Sequence, residues 1–157
     1  MTIDDIPVIA PYFRFVTTNT CDFTVGGMFM WRDYFHMAWQ VKDGVLYSTL
    51  TGEDGNLYYN LPLGEDIPAG LRQCLTRHPE RPVRFCTIPE AELPLFRALP
   101  GRVEITEEEN FADYLYSAEE MIRLSGKKFS GQRNHISRFL RTCQSWSFEP
   151  LDNTDAA

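Results

Sequence analysis

A chain of 157 residues with 43% hydrophobic and 24% charged side chains is expected to fold as a globular domain, burying roughly two-thirds of the surface its unfolded form exposes. Its net charge of −7 makes the body acidic. No window approaches the roughly 20 apolar residues of a membrane span, and the opening "MTIDDIPVIA" lacks the basic and apolar regions of a secretory leader, so a cytoplasmic location is expected.

In chain order, "APYFRFVTTNT" and "GGMFMWRDYF" read as two short helical pieces, with Tyr12, Phe13 and Val16 at helical spacing in the first. "HMAWQV" and "VLYSTL" are β-rich runs separated by Lys42-Asp43-Gly44, where Asp-Gly supplies the positive φ of a tight hairpin. The turn "TGEDG" leads into "NLYYNLPL", where Leu57, Tyr59 and Leu61 share one strand face, completing a three-stranded antiparallel meander. Asp66 caps a helix through "IPAGLRQCLTRH", with Pro68 in its first turn, and "RPVRFCT" reads as a buried strand. Thr87 and Glu90 form a capping box opening "EAELPLFRAL", and "GRVEIT" and "NFADYLYS" follow as two further strands. Ser117 and Glu120 form another box for "AEEMIRL", which Gly126 terminates; the tail "LDNTDAA" is expected to fray.

The last helix carries most of the charge asymmetry. From Met121 to Phe148 there is no Asp or Glu, whereas Arg123, Lys127, Lys128, Arg133, Arg138 and Arg141 supply six of the chain's fifteen Lys and Arg. Written as a helix from about Gly131, residues Gln132, Ile136, Phe139, Leu140 and Cys143 form an apolar stripe, and Asn134, Arg138 and Arg141 share another face. The stripe must bury against something: its own domain, a second domain, or a second copy in a homodimer. The basic cluster, with His135, has two readings. It neutralises the acidic body, for instance "TEEEN" at 106–110, or it binds phosphate of a tRNA, an anionic lipid head group or a nucleotide.

Other clusters favour structural readings. In "WRDYFH", Arg32 beside Asp33 reads as an ion pair, with Trp31 and Phe35 anchoring the turn into the first strand, and no nucleophile accompanies Tyr34 and His36. Tyr114 and Tyr116 share a strand face with Ala112 and read as core or half-buried pairs rather than the lining of a cleft. His78 and His135 lack a Ser or Cys partner in a recognisable triad motif. Cys21, Cys74, Cys86 and Cys143 are scattered, with no CxxC and no His at ligand spacing, which predicts reduced, mostly buried thiols and neither a metal site nor a disulfide.

The order of elements resembles the α+β fold of the Gcn5-related N-acetyltransferases (acyl-CoA N-acyltransferase-like), a mostly antiparallel central sheet flanked by helices. Three motifs, "WRDYFHMAW", "FADYLYSAEEM" and "GKKFSGQRNHISRF", in this order, resemble a bacterial family related to the C-terminal catalytic region of phosphatidylglycerol lysyltransferases. The resemblance implies two acyltransferase-like domains in tandem, with the third motif linking them and opening the second domain's leading helix. It therefore implies that residues 1–125 form the first domain, 126–145 a linker helix belonging to a second domain absent here, and 146–157 a tail. Most of the active cleft would lie in that second domain, so this chain alone is expected to be catalytically incomplete, its catalytic residues unassigned. Lys127, Lys128, Arg133, Asn134 and Arg138 match the third motif and become the candidate anion-contact residues, facing a donor such as an aminoacyl-tRNA.

An acetyltransferase of that fold would hold coenzyme A through a glycine-rich turn at a helix N-terminus. The corresponding "LPLGEDIPAG" places Glu65 and Asp66 there, adverse to phosphate, so no coenzyme A or other cofactor is expected. The alternative to a transferase half is a stand-alone binding or assembly module that dimerises through its C-terminal helix.

Overall fold

The computed structural model describes residues 1–109 and 112–150. The chain divides into two compact units, Met1–Asp113 and Tyr114–Ala157. Asn110, at the end of "TEEEN", Phe111, at the start of "FADYLYSAEEM", and the tail from Leu151 lie outside the described residues.

The first unit is α+β. Short helix α1 (Ile6–Ile9) runs into a 3₁₀ segment, Ala10–Phe15, and α2 (Val25–Trp31) follows. Thr24 caps α2 by accepting the Gly27 N–H at 2.9 Å. A Cβ on Gly27 would meet the Cys21 carbonyl oxygen at 2.5 Å, so only glycine permits this close turn.

β1 (Ala38–Lys42) and β2 (Val45–Thr51) pair antiparallel, Lys42 opposite Val45, and the two turn residues Asp43 and Gly44 take φ of 52° and 72° as the Asp-Gly signal requires. β3 (Leu57–Tyr59) completes the meander against β2. The "RPVRFCT" stretch contributes only β4 (Arg84–Phe85), parallel to β3, which makes a mixed four-stranded sheet in the order β1-β2-β3-β4. It is short rather than a full buried strand: Pro82 has no N–H to give the ladder, and Thr87, at φ 52°, turns the chain away.

β2 is buried on both faces. Leu46 packs with Ile9, Leu61, Leu63, Leu71 and Phe96, while Val45 and Tyr47 pack with Tyr59 and Cys74. Leu57, expected on the buried face with Tyr59 and Leu61, is instead 39% exposed at the strand's open end. Asp66 caps α3 (Ile67–Thr76) by accepting the Ala69 N–H at 2.8 Å, with Pro68 in the first turn. Gly70 lets α3 approach Pro62, where an added Cβ would sit 3.0 Å from the proline Cβ.

Other expectations fail as well. Thr87 does not cap α4 (Leu93–Arg97): its hydroxyl donates to the Cys86 carbonyl at 2.8 Å, and Pro89 starts the preceding 3₁₀ turn, Glu90–Glu92. "GRVEIT" forms no strand. Its Val103 and Ile105 are exposed, and it pairs with no described strand of the sheet. Residues 112–117 of "NFADYLYS" likewise carry no strand.

In the second unit, α5 (Ala118–Arg123) opens with Ser117 Oγ accepting the Glu120 N–H at 3.4 Å. Leu124, not Gly126, takes the left-handed position after it, with φ of 47° and its N–H donating to Glu120 O at 2.7 Å. Gly126, φ 83°, instead opens a 3₁₀ turn, Lys127–Phe129, which leads into α6 (Ser130–Thr142).

Candidate functional site

The basic segment sits on α6 and the turn before it. Among residues 114–150 there are six Lys and Arg against three Glu, and all three acids lie outside the segment from Met121 to Phe148. The five candidates divide into two groups. Lys128 Nζ is 2.6 Å from Glu120 Oε1, and Arg133 Nη1 donates to the carbonyls of Leu124 and Gly126, the latter at 2.8 Å. These two hold the α5–α6 turn together. Lys127, Asn134 and Arg138 have no side-chain partner among the described residues, and helical spacing sets Asn134, Arg138 and Arg141 on one exposed face.

The opposite side of α6 is the apolar stripe. Ile136, Phe139 and Leu140 are 48%, 45% and 51% exposed. Trp146, 56% exposed, stacks edge-on against Phe139 with ring centroids 5.8 Å apart. Trp146 was not among the residues singled out from sequence; its signal is only that an aromatic follows the helix by one turn of chain. Tyr114 and Tyr116 stack on each other at 6.4 Å but are 88% and 63% exposed, contrary to the core or half-buried pairing expected of them.

Within the first unit, a cavity of about 740 Å³ lies between the Ala10–Phe15 segment, the β1–β2 turn and the start of α3. Tyr12 and Phe15 give it an apolar wall, Asp43, Glu65 and Asp66 an acidic one, and Arg14 a single cation. Asp66 itself accepts the Ala69 N–H at the start of α3, and the carboxylates oppose a phosphate at this mouth. Tyr47, also on the lining, donates its hydroxyl to Gln73 Oε1; burial first, then the nearby Cys74, raises its pKa, so it stays a protonated donor. Arg77 lies over the Tyr47 ring at 4.7 Å. Sequence periodicity could not reveal this cavity, because its walls come from segments up to 65 residues apart.

The remaining clusters are structural. Arg32 pairs with Asp33 at 3.1 Å, lies 4.0 Å over the Phe29 ring and donates to Phe29 O, while Trp31, Tyr34 and Phe35 pack edge to edge. His78 bridges the Tyr59 hydroxyl and Arg81 Nη2, each at 3.2 Å. Cys74 is fully buried and burial pushes its thiol up to about 12, and the same cause pushes Cys86 to about 11. Of the thiols expected to be mostly buried, Cys74 is buried, Cys86 and Cys143 are half-buried, and Cys21 is exposed. Among the described residues no group of three or more His, Cys, Asp or Glu is placed to hold a metal, and no helix is long and apolar enough to cross a membrane.

Comparison with known proteins bears on this geometry. A solved structure, a conserved protein of unknown function from Bacteroides thetaiotaomicron VPI-5482, superposes with a TM-score of 0.67 at 28% sequence identity, over 97% of this chain and 52% of that one. The chain thus spans about half the length of that relative. No curated protein matches. The family model for the phosphatidylglycerol lysyltransferase C-terminal region matches residues 13–157. With nearly its whole length inside that match, the chain belongs to the phosphatidylglycerol lysyltransferase C-terminal family.

Proposed function

We propose that this chain is the N-terminal, acyltransferase-like half of an aminoacyl- or acyltransferase related to phosphatidylglycerol lysyltransferase, catalytically incomplete by itself. The observation that carries the reading is the family match over residues 13–157. The antiparallel β1–β3 meander continued by a parallel β4 supports an N-acetyltransferase-like arrangement, and α6 leads toward a second domain. Lys127, Asn134 and Arg138, with Arg141, hold a phosphate-bearing ligand on their free face, while Lys128 and Arg133 shape the turn that presents it. Clustered cations without opposing acids concentrate such ligands and make binding salt-sensitive.

The test has two parts. The chain is expected to be retained on heparin, to elute earlier as salt rises, and to lose retention in a Lys127→Glu, Arg138→Glu variant. Retention unchanged by that double reversal refutes the anion site. Incubated with lysyl-tRNA and phosphatidylglycerol, the chain alone is expected to yield no lysyl lipid; turnover would show that this half is a complete enzyme.

A second reading, an assembly module dimerising through α6, draws on the half-exposed Ile136, Phe139 and Leu140. It predicts a dimer by light scattering that Ile136→Ser with Leu140→Ser dissociates.

A further inference from the structure

We infer that His78 is a pH-sensitive latch, closed while its ring is neutral and protonated only at Nε2, and that uptake of a second ring proton expels Arg81 and loosens the edge of the sheet. The inference is independent of the anion-site reading and uses residues of the first unit alone. Both ring nitrogens are engaged: Nε2 lies 3.2 Å from the Tyr59 hydroxyl and Nδ1 lies 3.2 Å from Arg81 Nη2. A guanidinium has only N–H donors, no acceptor, and keeps its charge in a protein. Arg81 therefore donates, and Nδ1 must offer its lone pair. A neutral ring with a bare Nδ1 carries its proton on Nε2, which donates to the Tyr59 oxygen. Protonation puts a second N–H at Nδ1, so two donors and two positive charges face each other across that contact. The Tyr59 bond survives, because Nε2 carries a proton in both states.

The charged groups around the ring favour this one-sided release. Arg81 has another partner in Glu80, whose Oε1 is 3.9 Å from its Nε in a pair more than half exposed. Arg84, on β4, lines the same cavity of about 20 Å³ as His78 and Arg81 and adds a cation there. Cys74, packed with Tyr59, stays a neutral thiol because burial pushes it up to about 12. Asp54, in the turn before β3, is held by Asn56 and Tyr58, and Arg77 turns to Gln40 and the Tyr47 ring.

The latch sits where the chain passes from α3 into β4. The His78 N–H donates to the Leu75 carbonyl and the Arg81 N–H to the His78 carbonyl, each at 3.3 Å. Pro79 and Pro82 fix φ on either side of Arg81, which leaves its side-chain contact as the adjustable part of the turn. β4 is two residues long and ends the sheet, and the Cys86 N–H just after it donates to the Tyr59 carbonyl at 3.0 Å. So short an edge opens at little cost once the turn feeding it is released. His78 itself is half-buried, open to protons from solvent.

The experiment is an NMR titration of the full, isotopically labelled chain. With three histidines in the sequence, the signals lost in His78→Gln identify its ring. At about pH 8 the ring nitrogens are expected to show Nε2 protonated and Nδ1 bare. A proton on Nδ1, or an even mixture of the two forms, overturns the latch. Between about pH 8 and about pH 5 the Cys86 amide, corrected for the intrinsic pH dependence of exchange, should lose about fivefold in protection, the worth of one hydrogen bond. The loss should track the ring's titration. Arg81→Met, which keeps an aliphatic stem without a donor, should show the lower protection at both ends of the range while the ring still titrates. His78→Gln should remove the pH dependence with the circular dichroism spectrum unchanged. Protection that does not follow the ring, or a pH-dependent loss that persists in Arg81→Met, overturns the latch, as does a ring that takes up no proton above about pH 5. Should His78→Gln unfold, the ring tautomer of the native chain and the Arg81→Met titration decide the question without it.

Discussion

The Asp113 carboxylate holds Cys21 twice, accepting its backbone N–H at 3.0 Å through Oδ2 and its thiol at 3.2 Å through Oδ1. These residues are 92 positions apart in the chain, and the contact ties the loop before α2 to the end of the first unit. The arrangement raises the Cys21 pKa, chiefly because the thiol donates to Asp113, and correspondingly lowers that of Asp113.

Exposure alone would make Cys21 the most reactive thiol of the first unit, but the adjacent carboxylate opposes the thiolate. Alkylation at mildly alkaline pH is therefore expected to be slower than for a free thiol, and several-fold faster in Asp113→Ala. Cys74, fully buried with its pKa near 12, should react only when the protein unfolds. Mass spectrometry of iodoacetamide-treated protein checks all three, and a Cys74 adduct on the native chain would contradict the core described.

Asp54 provides a pH marker. Its carboxylate accepts the Asn56 side-chain N–H at 2.6 Å, the Asn56 backbone N–H at 2.9 Å and the Tyr58 hydroxyl at 2.7 Å, which lowers its pKa to about 2. A depressed carboxyl stabilises the fold above the ordinary aspartate value and loses that contribution as pH falls toward 2. An NMR titration of the Asp54 carboxyl should give a midpoint near 2; a midpoint at the free-aspartate value would mean the turn between β2 and β3 is not held this way.

Leu71 is fully buried among the side chains under β2. Leu71→Ala is expected to destabilise the first unit by about 2–5 kcal/mol. Gly70→Ala, one residue earlier, pushes a Cβ to 3.0 Å from Pro62 and 3.2 Å from Val45 and should cost about 1–3 kcal/mol despite alanine's better helix propensity. Urea unfolding of both variants gives the comparison, and a stabilised Gly70→Ala would show that α3 can move away from the 61–63 segment.

Arg133 separates the structural from the ligand-facing cations. Removing its bonds to the Leu124 and Gly126 carbonyls in Arg133→Ala should loosen the α5–α6 turn. Because the group is exposed, the effect should be no more than about 1 kcal/mol. Hydrogen exchange of the amides between residues 124 and 130 should quicken. Arg138→Ala, with no such partner, should leave exchange unchanged and reduce heparin retention.

The sequence by itself determined the features whose physics is local. Asp43-Gly44 closes the hairpin because both need positive φ, Asp66 and Ser117 cap helices because their oxygens reach N–H groups three residues on, and α6 is amphipathic because its residues repeat at helical spacing. The family resemblance was likewise legible in three short motifs, and the match over residues 13–157 establishes it. Other outcomes depended on distant partners. "GRVEIT" has a strand's composition but pairs with no described strand, Thr87 loses its capping role to Pro89 and to the conformation that ends β4, and Lys128 and Arg133 meet Glu120 and the Leu124 carbonyl. The acidic cavity and the Cys21–Asp113 bonds join residues far apart in the chain. Propensity and capping act over a few residues and can be read along the chain; strand pairing, burial and charge pairing are settled only when folding brings separate segments into contact.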